Sequence, residues 1–196
     1  TSFVSPRAVP QMADASEVMA HVQRKPGVRL TALVPNARGA ERAAAAKVDM
    51  MACFVSASET HCQANLNKSR AAALADVHEF TPIAQQFHIP VRGAVATAFG
   101  CPFEGEVDLK QLLDTAQRLA DAGPVELALA DTIGVAVPTQ VRKAFTQLKD
   151  KLGELPLRAH FHDTRNTGIA NAYASVLAGV SVLDASIGGI GGCPFA

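Results

Sequence analysis

Leu157-Arg158-Ala159-His160-Phe161-His162-Asp163-Thr164 is an apolar run that closes on two histidines, with a carboxylate directly after them. On a β-strand, side chains two residues apart leave the same face. The stretch therefore predicts a strand whose C-terminal end sends His160 and His162 together one way and Phe161 the other. Two convergent neutral imidazoles can supply two ligands to a divalent cation. The bland alternative is a pair of histidines satisfied by hydrogen bonds, and His-x-His alone does not choose between them.

Working outward from this strand, the same pattern repeats along the chain. Downstream lie a helix from about Thr167 to Ala178, with Gly179 behind it, and a strand over Val180 to Ile187. Upstream, Pro138 starts a helix that runs to Leu152-Gly153, and Val125 to Ala130 is a strand ending on Asp131-Thr132. Asp108 opens a helix that stops at Gly123-Pro124, after a strand over Ile89 to Thr97 and a loop at 100–105. Before these come a long helix from about Ser69 to Phe87, a polar loop from Ser56 to Lys68 and a strand over Val48 to Val55. The first third reads as an alanine-rich helix from Ala40 to Lys47, a strand from Val28 to Val34, and a helix capped by Asp14 with Glu17 three positions on. Thr1 to Val4 resembles the end of one more strand.

Strict strand–helix alternation with near-continuous apolar strands is the pattern of a parallel sheet buried on both faces under helical crossovers. Six strands and a remnant predict most of an α/β (β/α)8 TIM barrel, a fold of roughly 250 residues. Residues 1–196 are read as one partial domain, the middle of a longer one with the first strand–helix unit and the C-terminal part outside it. An open doubly wound sheet is the alternative, weakened because no G-x-G-x-x-G opens a helix after an early strand.

Bulk properties narrow the function. The chain is 48% hydrophobic, with 18 basic and 18 acidic residues. A balanced charge without a basic stripe argues against nucleic acid, and the short, interrupted apolar runs argue against a membrane span. The four cysteines Cys53, Cys62, Cys101 and Cys193 are far apart without a C-x-x-C pair, which reads as reduced thiols inside a cell.

On a barrel, chemistry sits at the C-terminal ends of the strands. Asp131, His160, His162 and Cys193 share that address, although Asp131 could simply organise a turn and Cys193 could be an inert small hydrophobe. Glu104, Glu106 and Asp108 read as a solvated loop and helix start. His61, His78 and His88 read as surface or helix residues, and Asp184 as a polar member of the barrel layers. Gly-Cys-Pro-Phe occurs at both 100–103 and 192–195, so Cys101 competes with Cys193. The glycine-dense setting of Cys193 favours it, since such a loop can approach and cover a ligand.

Taken together, Ser2-Phe3-Val4-Ser5-Pro6, Val9-Pro10-Gln11-Met12-Ala13-Asp14, Arg92-Gly93, Gly100-Cys101-Pro102-Phe103-Glu104-Gly105, Asp131-Thr132-Ile133-Gly134, His160-Phe161-His162-Asp163-Thr164 and Gly191-Gly192-Cys193-Pro194-Phe195-Ala196 resemble the 3-hydroxy-3-methylglutaryl-CoA lyases. These belong to the metal-dependent TIM-barrel lyases and synthases. The resemblance covers essentially the whole chain, and the terminal Gly-Gly-Cys-Pro-Phe-Ala is its most specific part.

The resemblance implies retro-aldol (Claisen-type) cleavage of a 3-hydroxy-3-methylglutaryl thioester to acetyl-CoA and acetoacetate. It implies Mg2+ or Mn2+ on His160 and His162, acid–base catalysis by Cys193, a catalytic contribution from Asp131 and a substrate-side position for Asn65. It also implies a CoA-thioester substrate, a homodimer, and a cytoplasmic or mitochondrial-matrix setting. The family's arginine–aspartate pair and a glutamate are expected upstream of Thr1, and an asparagine ligand beyond Ala196. The segment by itself is therefore expected to be inactive and poorly folded, because an unclosed barrel exposes sheet edges. Competing expectations are a lyase for another 3-hydroxyacyl-CoA, an isopropylmalate- or citramalate-type synthase, and a non-catalytic barrel kept for binding or assembly.

Overall fold

Six strands, β1 (Thr31–Leu33), β2 (Met50–Ser56), β3 (Val91–Ala96), β4 (Glu126–Asp131), β5 (Leu157–Phe161) and β6 (Val182–Leu183), form one sheet in the order of the chain. The computed structural model describes residues 1–189. Every strand pair is parallel, in registers such as Met51↔Val91, Arg92↔Glu126 and Ala130↔His160. Sequential parallel order, with a helix between successive strands, curls the sheet into part of a (β/α)8 barrel. The strand remnant at the start is there too. Ser2 bridges Leu33, and the Phe3 amide donates to the Leu33 carbonyl at 2.8 Å.

The helices are α1 (Ala15–His21), α2 (Ala37–Ala45), α3 (Glu59–Leu66), α4 (Arg70–Gln86), α5 (Leu109–Ala120), α6 (Pro138–Leu152) and α7 (Gly168–Leu177). Local chemistry sets their ends. The Asn36, Ser58 and Ser69 side chains accept from the amides of Gly39, His61 and Ala72 at 3.0–3.1 Å, each satisfying a donor of the first turn. Pro138 occupies the first turn of α6, where its lacking an N–H costs nothing. Asp14 flanks α1 as expected but makes no side-chain capping bond.

One expectation is corrected. Residues 56–68, read as a polar loop, contain α3, a two-turn helix that starts at the Ser58 cap and stops at left-handed Asn67. Its composition carries no apolar stripe, so periodicity could not reveal it. The last strand is also shorter than the expected 180–187, because the chain leaves the ladder after Leu183.

Strand residues alternate between two environments. Met51, Cys53, Val55, Val95, Leu127, Leu129, Leu157 and Ala159 are buried in the core between sheet and helices. Leu112, Ala116 and Leu119 of α5 close on them, and Leu119 lies so near β3 that a Cβ at Gly93 would meet it at 3.0 Å. The intervening residues, Arg92, Glu126, Arg158 and His160 among them, turn to the barrel interior. Phe161 joins the outer core beside Phe99, with ring centroids 6.1 Å apart. The two histidines thus leave the opposite face from Phe161, as the period of the strand requires.

Candidate metal-binding site at the barrel mouth

His160 lies one residue before the end of β5 and His162 just beyond it, and their Nε2 atoms stand 3.4 Å apart with the rings edge to face. Adjacent ligands of an octahedral cation at about 2.1 Å stand about 3 Å apart, so the pair matches one edge of such a shell closely. Two ring nitrogens facing each other must share a proton or a cation, because two bare lone pairs repel. The second nitrogen of His160 decides its form: Nδ1 lies 2.9 Å from Asp184 Oδ2. A carboxylate can only accept, so His160 carries its proton on Nδ1 and directs the Nε2 lone pair into the mouth. That arrangement fits a divalent cation. Among the described residues, no group of three or more His, Cys, Asp or Glu gathers as a metal site.

Electrostatics support the neutral form of the second imidazole. Burial pushes the His162 imidazole below its ordinary pKa, and a protonated His160 would add to this, against the opposing pull of Asp131. Burial also pushes the Asp184 carboxyl up, but hydrogen bonds from His160 and Arg158 and the charge of Arg158 outweigh it and bring it down to about 2. Asp184 is therefore a fixed anion beside the ligand.

The other expected residues take different places. Asp131, fully buried at the end of β4, accepts from the Val135 amide on Oδ1 and from the Ala136 amide on Oδ2, both at 3.0 Å. Burial raises its pKa, while these two bonds and the charge of His162 oppose the rise. The carboxylate folds residues 131–136 into a turn that passes over Gly134, where φ is +65° and a Cβ would stand 2.4 Å from Thr164 Oγ1. This fastens the β4 turn to the loop after His162. Asp163 spends its carboxylate on the Gly168 amide at 2.7 Å, organising the start of α7.

Asn65 sits on the exposed side of α3 and borders a separate cleft of about 210 Å3 that also involves Ser5, Asn36 and Lys68. None of the residues around that cleft is His160, His162 or Asp131. Cys193 lies outside the described residues. Its competitor Cys101 is buried, 2.9 Å from Ser58 Oγ, and its sulfur accepts from the Phe103 and Glu104 amides at 3.4 Å.

Three features escaped the sequence reading. Asp184 is a direct partner of His160 and not merely a layer residue. His61, read as a surface or helix residue, is buried on α3 with Nδ1 2.6 Å from Ser56 Oγ. Glu104 is exposed, as read, and its carboxylate also accepts from the Thr60 amide at 2.7 Å. The Asp184 and Glu104 contacts join distant segments, and only the carboxylate inside the predicted 180–187 strand, Asp184, left a trace in the pattern.

Comparison with known proteins agrees with this fold. The model of the family described as HMGL-like matches residues 5–193. The chain is 40% identical over 196 residues to hydroxymethylglutaryl-CoA lyase YngG of Bacillus subtilis, covering all of this chain and 66% of that protein. It is 41% identical over 198 residues to the 3-hydroxy-3-isohexenylglutaryl-CoA/hydroxy-methylglutaryl-CoA lyase of Pseudomonas aeruginosa, covering all of this chain and 65% of the relative. An HMG-CoA lyase of Acinetobacter baumannii, solved with coenzyme A and 3-methylmalate, superposes with a TM-score of 0.93 at 36% identity, over 100% of this chain and 64% of that one. The chain thus spans about two thirds of the length of the relatives it matches.

Proposed function

The chain belongs to the HMGL-like family, and from that premise we propose that its protein is a divalent-metal-dependent carbon–carbon lyase that cleaves 3-hydroxy-3-methylglutaryl-CoA to acetyl-CoA and acetoacetate. The observation that carries the reading is the His160–His162 pair, converged to 3.4 Å at the barrel mouth with Asp184 fixing the tautomer of His160. Family members depend in general on a divalent metal. His160 and His162 would hold Mg2+ or Mn2+ here.

A bound cation of this kind supplies Lewis acidity that lowers the pKa of a coordinated hydroxyl and orients the molecule bearing it. In the cleavage, the tertiary hydroxyl loses its proton and the C2–C3 bond breaks. The electron pair of that bond goes to C2, alpha to the thioester carbonyl, giving the acetyl-CoA enolate, while the alkoxide becomes the ketone of acetoacetate. Cys193 is assigned the proton that then goes to the enolate carbon, a role that a positioned thiol can fill. Asp131 holds the β4 turn beside His162, and Asn65 is assigned to the substrate side. The coenzyme A present in the Acinetobacter enzyme supports a CoA-thioester substrate.

The test is acetoacetate release from 3-hydroxy-3-methylglutaryl-CoA by the full-length protein with Mg2+ or Mn2+, with EDTA, and in a Cys193→Ser variant. Turnover abolished by EDTA and lowered by orders of magnitude in the variant is the expected result. Metal binding without cleavage points to a second reading, a longer-chain 3-hydroxyacyl-CoA substrate, which the name of the Pseudomonas relative favours. A homodimer in the cytoplasm belongs to the same proposal. Among the described residues no helix is long and apolar enough to cross a membrane.

A further inference from the structure

Inside the barrel, beneath the histidine pair, a run of charged side chains leads from the interior to the mouth. Arg158 stands on β5 two residues before His160, so both project from the same face. Its Nε and Nη2 donate to Glu126 Oε1 at 2.9 and 2.8 Å, and its Nη1 donates to Asp184 Oδ1. Asp184 Oδ2 then accepts from His160 Nδ1 at 2.9 Å. Side-chain exposure rises steadily along this run, from 9% at Glu126 to 15% at Arg158, 26% at Asp184 and 42% at His160. The buried end is therefore rigid and the exposed end is where a ligand arrives.

We propose that Arg158 is a positioning residue: clamped between Glu126 and Asp184, its guanidinium fixes the Asp184 carboxylate so that the second oxygen locks His160 with Nε2 free for a divalent cation. The inference rests on the functional reading above and extends it to residues that touch neither metal nor substrate.

Geometry separates this from an ordinary buried ion pair. Glu126 alone would satisfy the charge of Arg158, yet a third donor of the guanidinium reaches the carboxylate that faces His160. A planar fork with five donors can engage two carboxylates at once, which a lysine ammonium on a flexible stem does poorly. A carboxylate held through one oxygen cannot rotate away from the partner of the other. Without Arg158, the buried Glu126 and the half-buried Asp184 would share this interior with Arg92 as the nearby cation. Arg92 itself is pulled below its ordinary pKa by burial and then by Arg158, and raised by Asp184 and Glu126, which places all four groups in one field. Groups that orient a metal-bound histidine typically change metal affinity 10–100-fold when removed.

The experiment uses the full-length protein, metal-free, labelled with 15N at histidine. The variants are Arg158→Met, Arg158→Lys and the charge-balanced Glu126→Gln/Arg158→Met, which leaves no unpaired carboxylate at position 126. Two quantities are read, the His160 tautomer from ring 15N shifts and the Mn2+ Kd from electron paramagnetic resonance. The wild type is expected to hold His160 as the Nδ1–H form. Arg158→Met and the double variant are expected to give mixed His160 tautomers and a Kd raised about 10-fold. His162 should be unchanged, and Arg158→Lys should fall between. If Arg158→Met does not fold, the double variant and Arg158→Lys carry the test. A folded double variant with wild-type tautomer and Kd overturns the proposal. Failure of the wild type to bind Mn2+ instead refutes the metal-dependent function, while the tautomer comparison still judges the clamp.

Discussion

Asp131→Asn tests whether the buried carboxylate at the end of β4 holds the turn that follows it. The substitution keeps shape and volume, so no cavity is made. One side-chain oxygen remains and can accept from either Val135 or Ala136, now as a neutral acceptor. The other becomes an NH2 group facing a backbone N–H that previously lay 3.0 Å from an oxygen. Losing a hydrogen bond to a charged acceptor costs about 1.5–3 kcal/mol, and the surviving bond weakens toward the neutral value by about 1 kcal/mol. The expected loss is about 3 kcal/mol, or roughly 6–12 °C in Tm for a domain of this size. The damage should spread along one route. The Ala136 carbonyl accepts from Asn171 Nδ2 at 2.9 Å and from Thr167 Oγ1 at 3.2 Å, tying the turn to α7. Amide exchange in the full-length protein should therefore quicken at 134–136 and at the start of α7, with α2 and α4 unchanged. A Tm within 2 °C of wild type, or exchange uniformly altered, would refute the reasoning and leave Asp131 as a residue whose carboxylate serves the substrate alone.

Gly134→Ala forces a side chain onto a residue at φ +65° and into Thr164 Oγ1. A loss of about 2–4 kcal/mol in urea denaturation is expected, and a loss under 1 kcal/mol contradicts the packing described here. His162→Ala should abolish Mn2+ binding while moving Tm by less than about 3 °C, because the ring is only part-buried and fills no core. Unaltered Mn2+ affinity would remove His162 from the ligand set. Burial pushes the Cys53 thiol up to about 12. Between its unfolded value near 8.5 and that limit the unfolded chain sheds a proton that the folded chain keeps, so stability is intact below about pH 8.5 and falls as pH rises through the window. Cys53→Ala should flatten this alkaline limb, and an identical slope in both proteins would show that the thiol ionises in place.

The barrel was legible because its information is local. Apolar strands bounded by Gly123-Pro124 or Leu152-Gly153 and helices opened by Ser69 or Pro138 announce themselves within a dozen residues. The shared face of His160 and His162 follows from strand period alone, and the structure shows it. The helix over Glu59–Leu66 was missed because its capping serine and left-handed Asn67 flank a sequence with no apolar stripe to register. Arg158 and Glu126 were invisible for another reason. Each reads as a lone charge in an apolar strand, and only the lateral pairing of β4 with β5 makes them partners. Asp184 was placed correctly in the barrel interior, but its contact with His160 requires the next strand over and could not be inferred from its own segment.

The order of the sheet also bears on how the chain acquires its shape during synthesis. Among the described residues each strand pairs with its neighbours in the chain, so these pairings wait for no distant segment. Loop-closure entropy grows only with the logarithm of loop length, and successive units therefore close at nearly the same entropic cost. A strand–helix unit of about thirty residues leaves the ribosome in roughly two to six seconds, far longer than hairpins, helices or collapse require. Each unit can dock on its predecessor before the next one emerges. What travels with the nascent chain is the unpaired edge of its newest strand, renewed at every step, and it is there that a chaperone or a misdirected partner would find its hold.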